Sequence, residues 1–244
     1  MFRLKFLREK AVDKMKLNKR QEMILEKLNM NGKIKISELS EELYFSEMTI
    51  RRDIKSMEKE GLLKRIHGGA VENSFTFQYP INYRLNLNRV QKKQMAEQAL
   101  KYVKNDQVIF FNSSSTLAFI VPYLANYQNI RIITNSVYLV SLIEQVHIPC
   151  YLTGGEYHEI EKCLLGRETE DYLKKVNPDL AFLSCEAISK EGNVTDDNPN
   201  VAEIARIAIR KSKFSVLLMD QSKVNTVCTY DVCHRDDLND VILC

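Results

Sequence analysis

The sequence predicts an α/β protein in which a small, mainly helical N-terminal domain precedes a larger α/β domain with a mostly parallel sheet. Three observations support this prediction. With 244 residues the chain is long for one small domain, and its 45% apolar composition can supply a core in each of two domains. Short stretches with helical apolar spacing occupy the N-terminal end, and apolar runs alternate with helix-like stretches in the remainder.

Positive charge is concentrated at the N-terminal end of the chain. Residues 1–71 contain 17 Lys and Arg against 11 Asp and Glu, whereas residues 72–244 contain 18 against 21. A local excess of cations indicates a polyanionic partner, but an ordinary solvated surface can show the same excess. Charge alone therefore leaves both interpretations open.

The six cysteines follow neither a metal-binding nor a disulfide pattern, since no CxxC pair occurs among them. We therefore expect reduced thiols, no metal site and no cofactor. No run approaches the ~20 apolar residues of a membrane span, and residues 1–20 are too charged for a secretory signal. These features predict a cytoplasmic protein without a membrane partner.

The first predicted helix runs from Lys19 to the Asn31-Gly32 pair, because apolar residues recur at helical spacing and glycine ends helices. Residues 33–36 alternate between polar and apolar and predict a short strand. Ser37 is then expected to cap a second helix through its hydroxyl group.

A third helix is predicted from Ser46, which is the expected N-cap. Ile50, Ile54 and Met57 recur at steps of four and three and predict its buried face. Its other faces carry polar and cationic side chains, which suit a helix that enters the major groove of DNA and bonds phosphates or guanine edges. The candidate contact residues are Ser46, Met48, Thr49, Arg51, Arg52 and Lys55.

The segment LLKRIHGGAV, residues 62–71, predicts two short strands around a Gly-Gly turn. Such a hairpin is typical of a wing that meets the sugar-phosphate backbone of DNA. Its candidate contact residues are Arg65, His67, Gly68 and Gly69. On spacing alone, a three-helix core with solvated charges remains the alternative.

The stretch ISELSEELYFSEMTIRRDIKSMEKEGLLKRIHGGAV, residues 36–71, resembles the winged helix-turn-helix of DeoR-family bacterial transcription regulators. The resemblance implies operator contacts by Ser46, Thr49, Arg51 and Arg52, with residues 67–69 at the tip of the wing. Asp53 is expected to pair with an arginine and not to read a base.

The predicted domain boundaries follow from these patterns. A family start near Met15 leaves residues 1–14 as either a basic arm or a consequence of start-codon assignment. The predicted segments are a basic extension at 1–18, the winged helix-turn-helix domain at 19–71, a linker at 72–88 and the α/β domain at 89–244.

In the larger domain a basic helix is predicted from about Arg89 to Val103, followed by six apolar runs that alternate with helix-like stretches. Fully apolar strands between helices indicate a parallel sheet that is covered on both faces. The predicted strands lie within residues 108–112, 131–135, 149–154, 179–185, 214–220 and 241–244.

Small and polar residues follow these strands. In parallel α/β sheets ligands bind beyond the carboxyl ends of the strands, and hydroxyl and backbone N–H groups there can hold an anion. The sequence therefore predicts a phosphate-sized site with one cation, although serines can simply cap helices and glycines can simply form turns. The candidate residues are Asn112, Ser113, Ser114, Ser115, Thr116, Asn135, Ser136, Gly154, Gly155 and Lys223.

Short motifs across this domain are similar to the sensor domain of the DeoR family: TNS at 134–136, TGG at 153–155, DLAF at 179–182 and Asp-x-Ser-Lys at 220–223. That sensor is related to ribose-5-phosphate isomerase and glucosamine-6-phosphate deaminase folds and commonly binds phosphorylated sugars. The resemblance implies a small phosphate ester as effector and assigns Lys93 to a family-typical lysine.

The chain departs from the family pattern at four positions. Asn112 stands where an aspartate is usual, Ser114 lies within a loop that is usually Gly-Thr-Thr-like, Val201 falls at or beside the place of a glutamate, and His158 replaces an arginine. A lost carboxylate removes an acceptor for sugar hydroxyls. Phosphate binding is compatible with these changes, and recognition of the sugar is the open point.

The leading hypothesis is a DNA-binding transcriptional regulator, a repressor of a carbohydrate-metabolism operon, that acts as a homo-oligomer on double-stranded DNA and responds to a phosphorylated sugar. It is not expected to be an enzyme. The alternatives are a sugar-phosphate isomerase or deaminase, for which Asp220 and Glu186 are weak acid–base candidates, and a DNA binder that no longer senses sugar phosphates and is either constitutive or tuned by oxidation of Cys163 or Cys185.

Overall fold

The computed structural model describes residues 17–59, 62–71 and 81–244, which divide into one compact unit ending at Leu87 and a second beginning at Asn88. Nearly all of the predicted basic extension, the predicted helix end at Gly61 and the first nine residues of the predicted linker lie outside the described residues. Within the described ranges, no helix combines the length and the apolar composition that crossing a membrane requires.

The first unit is a winged helix-turn-helix, as the sequence predicts. Its three strands form an antiparallel sheet in the order β1-β3-β2. Its core is built from apolar side chains of all three main helices, including Ile24, Leu28, Leu39, Ile50 and Ile54. The elements are α1 Lys19–Asn31, β1 Lys33–Lys35, α2 Ile36–Leu43, α3 Glu47–Lys59, β2 Lys64–Ile66, β3 Gly69–Val71 and the single turn α4 Ile81–Arg84.

The caps of these helices test the predicted boundaries. Helix α3 is capped by Ser46, whose Oγ accepts a hydrogen bond from the Thr49 N–H at 3.3 Å, so that prediction is confirmed. The predicted cap at Ser37 is wrong, because α2 begins at Ile36 and Lys35 is the capping residue. Strand β1 leads directly into α2, which leaves no intervening residue for a side-chain cap.

Gly69 has a packing role at the base of the wing. It is the first residue of the central strand β3 and pairs with Lys35 on one side and Ile66 on the other. A Cβ atom at Gly69 would lie 2.1 Å from the Ile34 carbonyl oxygen. The prediction that Gly69 contacts DNA at the tip is therefore corrected: Gly69 is buried, and the exposed turn consists of His67 and Gly68.

The second unit is an α/β domain. Its main helices are α5 Arg89–Ala99, α6 Val137–Val146, α7 Arg167–Lys174 and α8 Pro199–Lys211. Its strands are β4 Val108–Phe111, β5 Arg131–Thr134, β6 Cys150–Leu152, β7 Glu156–His158, β8 Cys163–Leu165, β9 Leu180–Leu183, β10 Ala187–Ile188, β11 Asn193–Asp196, β12 Ser215–Met219, β13 Tyr230–His234 and β14 Asp240–Leu243.

Six of these strands form a sheet in the order β14-β12-β9-β4-β5-β6, and every pair in it is parallel. Each of the six predicted apolar runs supplies one strand, so the predicted parallel sheet is confirmed. Every residue of β9 and β12 is buried. Because successive side chains point to opposite faces, both faces of the sheet are covered.

Numbered along the chain from the β6 edge, the strand order is 3-2-1-4-5-6, the order of doubly wound sheets. It reverses between β4 and β9, and in sheets of this kind ligands bind beyond the carboxyl ends of the strands at such a reversal. Two further elements were not predicted, namely the β7–β8 hairpin and the small antiparallel sheet β10-β11-β13. Their short strands carry no long apolar run.

We predict that Gly69→Ala destabilises the first unit by about 2 kcal/mol, since the new methyl group must displace the backbone of β1. Gly68→Ala is the matched control. Gly68 has open space around it but a φ of +74°, so its substitution costs about 1 kcal/mol. Thermal unfolding of both variants tests whether Gly69→Ala loses more stability than Gly68→Ala. Equal losses would contradict the packing role of Gly69.

Candidate functional sites

The exposed face of α3 is polar and cationic. Ile50, Ile54 and Met57 are buried, as predicted. The candidate contact residues Met48, Arg51, Arg52 and Lys55 are all exposed, and their spacing of three and four places them on one side of the helix. Met48 is 73% exposed although it is apolar. The helix therefore presents an open, positively charged face beside its N-terminus.

A partly buried ion pair connects α3 to α1. Asp53 is buried and receives two hydrogen bonds from the guanidinium group of Arg20, one of them from Nη2 to Oδ1 at 3.2 Å. The hydrogen bond to Asp53 raises the pKa of Arg20. The same guanidinium carbon lies 4.6 Å from the centroid of the Phe45 ring. Asp53 thus pairs with an arginine, as predicted.

The cations of α3 and of the wing strand β2 differ in their ion-pair partners. Arg51 Nη2 lies 2.9 Å from Glu47 Oε2, and Arg65 Nε lies 2.7 Å from Glu58 Oε2. Arg52 and Lys55 form no ion pair with any other residue that the structure describes. Arg52 and Lys55 can therefore bind a polyanion without breaking an ion pair, whereas Arg51 and Arg65 must first break one.

The remaining candidates of the first unit surround the same face. The hydroxyl oxygens of Ser46 and Thr49 lie 2.9 Å apart at the start of α3, so each already has a partner. His67 and Gly68 are exposed in the wing turn.

In the second unit, Asn112 bridges β4 and β9 at the point where the strand order reverses. Its Nδ2 group donates to the Ser184 carbonyl oxygen at 2.9 Å, and its Oδ1 accepts from the Ser184 N–H at 3.1 Å. Asn112 is 1% exposed. The side chain continues the backbone pairing of the two strands by one residue. Both polar atoms of the Asn112 amide are therefore paired with Ser184, and its role in effector binding stays a prediction.

The loop after β4 is held by side chains that follow β5. The Ser113 N–H donates to Asn135 Oδ1 at 3.0 Å, and Asn135 Nδ2 donates to the Leu164 carbonyl oxygen. Ser136 caps α6 by accepting from the Leu139 N–H at 3.2 Å. Asn135 and Ser136 thus have structural partners, which agrees with the alternative that these residues serve caps and turns.

Ser114 and Thr116 complete this loop. The Thr116 N–H donates to Ser114 Oγ at 3.1 Å, and both residues are buried. Ser113 is only partly buried, and its hydroxyl donates to the Glu161 carbonyl oxygen at 3.2 Å. The loop is therefore a compact turn that hydrogen bonds of its hydroxyl groups stabilise.

A buried lysine, Lys92, reaches the loop after β4. Lys92 is 3% exposed, and its Nζ group donates to Ser115 Oγ at 3.0 Å. Lys93 is exposed, and its role in effector binding stays a prediction. Lys92 shares the buried side of α5 with Met95 and Ala99. This spacing of three and seven residues was a signal in the sequence that could have distinguished the two lysines.

Lys223, the predicted phosphate ligand, lies in a different cluster. Its Nζ group donates to the Cys185 carbonyl oxygen at 2.9 Å and lies 3.1 Å from Glu186 Oε2. The buried carboxyl of Asp196 lies nearby, and burial raises its pKa to about 7 with a further contribution from Glu186. Lys223 therefore lies in an acidic cluster formed by Glu186 and Asp196. The sequence did not predict Asp196 as part of a site.

The Gly154-Gly155 pair is shaped by packing. The Thr169 hydroxyl donates to the Gly154 carbonyl oxygen at 2.5 Å. Gly155 has a φ of +134°, and a Cβ atom there would lie 2.5 Å from the Leu165 carbonyl oxygen. Only glycine fits this position, because β8 and α7 approach it closely. The pair therefore has a structural reason independent of any ligand.

Two positions that depart from the family pattern, and two further polar residues, have structural roles within the domain. His158 Nδ1 accepts from the Glu161 N–H at 3.3 Å. Val201 is half-buried on α8 and packs against the core of the domain. Asn198 caps α8 by accepting from the Asn200 N–H at 2.9 Å. Asp220 is buried and accepts from the Ser222 N–H at 3.1 Å.

The structure disfavours thiol chemistry. Cys163 and Cys185 are buried, and burial raises the pKa of the Cys185 thiol well above its usual range. Thiolates, not thiols, react with oxidants, so a buried thiol of raised pKa is poorly suited to redox sensing. Burial of these cysteines therefore does not favour the predicted alternative of oxidation. The described His, Cys, Asp and Glu residues contain no group that could hold a metal ion.

We predict that Asn112→Asp destabilises the second unit by about 2–3 kcal/mol at pH 7.5, since the carboxylate cannot donate to the Ser184 carbonyl and is buried against it. Protonation restores a donor. The variant's carboxyl pKa is thus raised by folding, and the loss shrinks as the pH falls towards 5. Thermal unfolding at both pH values checks this.

Asn105→Asp is the control for this substitution. Asn105 is exposed, and its Oδ1 only accepts a hydrogen bond, from the Gln128 N–H at 2.9 Å. A carboxylate can accept the same bond, so stability should be almost unchanged. An equal loss in the two variants would contradict the role of the Asn112 amide.

Two family models match the chain. The DeoR C terminal sensor domain matches residues 87–243, and the DeoR-like helix-turn-helix domain matches residues 20–76. The L-fucose operon activator of Haemophilus influenzae is 30% identical over 235 residues, covering 92% of this chain and 91% of its own. The lactose phosphotransferase system repressor of Staphylococcus aureus strain N315 is 31% identical over 235 residues, covering 94% and 92%.

Among solved structures, ribose 5-phosphate isomerase A from Methanocaldococcus jannaschii aligns with 56% of this chain and 55% of its own, with 21% identity and a TM-score of 0.42. A similarity of this size is too low to carry a statement about ligand or activity. The family descriptions and the curated relatives are those of regulators and not of enzymes. Since the two family models together match most of the chain, the protein belongs to the DeoR family of DNA-binding transcription regulators.

Proposed function

We propose that this protein represses a carbohydrate-metabolism operon, that it binds operator DNA as a homo-oligomer in the cytoplasm, and that a phosphorylated sugar bound at the carboxyl edge of its parallel sheet changes its operator affinity. The relatives named for lactose and L-fucose operons support the carbohydrate assignment. One of them is a repressor and the other an activator. The observation that carries the effector part is the buried Lys92 beside Ser115.

The exposed face of α3 supports the DNA-binding part of the proposal. A major groove admits one α-helix, and guanidinium groups bond phosphates or guanine edges in pairs. Arg52 and Lys55 project from this face without a carboxylate partner among the described residues, and Met48 offers an apolar surface for a thymine methyl group. The wing residues His67 and Arg65 would meet the sugar-phosphate backbone beside it.

The loop after β4 supports phosphate binding. An ammonium group beside hydroxyl groups at the carboxyl end of a parallel strand is a polar cluster suited to a phosphate group. Lys92 reaches Ser115 within the loop formed by Ser113 to Thr116, which follows the strand at the centre of the sheet. A phosphate monoester at this loop would accept from the ammonium and from the hydroxyl groups. Lys223 and the acidic cluster around it would then face the sugar end of the ligand.

The homo-oligomer is proposed because of the way in which helix-turn-helix proteins bind their operators. Operators of helix-turn-helix proteins contain repeated half-sites about one helical turn apart, and each half-site takes one recognition helix. Two or more copies of α3 are therefore needed for tight binding, and closed symmetric assemblies are the common solution. The effector can act only by binding one assembly or conformation more tightly than another.

The test of this function is a titration of the purified protein on DNA from its own promoter region, at fixed salt, with and without a panel of sugar phosphates. We expect specific binding that one sugar phosphate weakens. The free sugar at the same concentration is the control for the phosphate group. Binding that ignores the whole panel would contradict the sensor assignment, and absence of specific binding would contradict the regulator assignment.

The variant Lys92→Met should lose the response to the effector and retain ligand-free DNA binding, because methionine fills the buried space without the charge. Lys93→Met is the matched control, since Lys93 is exposed on the same helix and should respond as the wild type does. The measurement is operator affinity with and without the active sugar phosphate. A normal response in Lys92→Met would overturn the role of Lys92.

The variant Arg52→Ala should weaken operator binding and lower the slope of log K against log salt by about one, because one phosphate contact and its counterion are lost. Arg52 forms no ion pair with another described residue, so its removal breaks none there and the fold should be unaffected. Lys59→Ala, at the other end of α3, is the control. An unchanged salt slope would remove Arg52 from the phosphate contacts.

A further inference from the structure

The turn between α2 and α3 contains a strained tyrosine. Tyr44 is the C-cap of α2 and has left-handed backbone angles, φ 56° and ψ 40°. Glycine and asparagine adopt this conformation readily, whereas other L-residues meet a steric penalty in it. A bulky aromatic residue in such a position raises the question of what compensates for the penalty.

Packing within the unit does not supply the compensation. The Tyr44 side chain is 93% exposed, the highest value among the large apolar and aromatic side chains that the structure describes as exposed. A ring left in water gains nothing from burial. The benefit of tyrosine over asparagine at this position therefore lies outside the folded unit itself.

The backbone of the turn is held in place on both sides of the tyrosine. The Tyr44 and Phe45 N–H groups both donate to the Ser40 carbonyl oxygen, the second at 3.2 Å, and the Ser40 hydroxyl donates to the Phe45 carbonyl oxygen at 2.6 Å. The Phe45 ring lies against the Arg20 guanidinium group. The turn thus presents the Tyr44 ring from a fixed backbone.

The position of this turn relative to DNA follows from the helix-turn-helix geometry. The recognition helix enters the major groove by its N-terminal residues, while the helix before it crosses the sugar-phosphate backbone. Tyr44 lies between these helices, two residues before the Ser46 cap, and Met48 in the first turn of α3 is also largely exposed. Bound in this way, the helix-turn-helix would place the Tyr44 ring beside the strand that borders the groove.

We propose that Tyr44 is a DNA-contact residue whose ring packs on a deoxyribose and whose hydroxyl donates to a phosphate at the edge of the groove that α3 enters. The proposal rests on operator binding through α3. The contact is uncharged, so it contributes the same factor at every salt concentration. It fixes the register of α3 in the groove and does not read a base.

The test uses Tyr44→Asn and Tyr44→Phe in the full-length protein. Tyr44→Asn relieves the backbone penalty, so we expect a higher midpoint of thermal unfolding together with an operator affinity about tenfold lower, which corresponds to ~1.4 kcal/mol. Tyr44→Phe should unfold like the wild type and lose about threefold in affinity, the part due to the hydroxyl. Neither variant should change the salt slope.

His147→Asn is the matched control. His147 caps α6 in the second unit with the same backbone angles, φ 56° and ψ 40°, and is exposed. The substitution relieves the same penalty far along the chain from α3, so it should stabilise the protein and leave operator affinity unchanged. Wild-type affinity in Tyr44→Asn would overturn the proposal. If Arg52→Ala still weakens binding in that case, operator binding through α3 stands and only the Tyr44 contact fails.

Discussion

The organisation of the second unit depends on one constraint, which is that a parallel sheet covered on both faces leaves no place along its strands for polar side chains. Every residue of β9 and β12 is buried, so polar groups can appear only where strands end. All six strands run in one direction, and their carboxyl ends meet at one edge. Residues that are far apart in the chain, such as Asn112 and Ser184, are brought together there.

In the first unit, pairing of charges determines which cations are available. The buried Asp53 holds Arg20 between α1 and α3, and the exposed carboxylates of Glu47 and Glu58 hold Arg51 and Arg65. An exposed ion pair contributes little to stability, so a cation can leave its carboxylate for a phosphate at small cost. The pairs keep long side chains extended over the face before DNA arrives, which lowers the entropy lost on binding.

The large elements could be predicted because apolar runs and helical spacing are properties of short windows. The small strands β10 and β11 could not, since they are held by pairing with each other and with β13 and carry no such run. Distinguishing Lys92 from Lys93 was possible from the apolar spacing of α5. The Asn112–Ser184 bridge was not, because it requires knowing that β4 lies beside β9, 72 residues further along the chain.

The way in which the candidate effector residues are distributed along the chain also bears on how the protein persists in a cell. The loop after β4, Lys92, and Lys223 with its acidic neighbours come from segments between α5 and the turn after β12, so this arrangement exists only when β4, β9 and β12 have come together. A ligand held there binds the folded domain and not the unfolded chain, and by mass action it lowers the fraction of chains that are open to proteases. Under the proposed function, the supply of the metabolite would thereby lengthen the lifetime of the regulator.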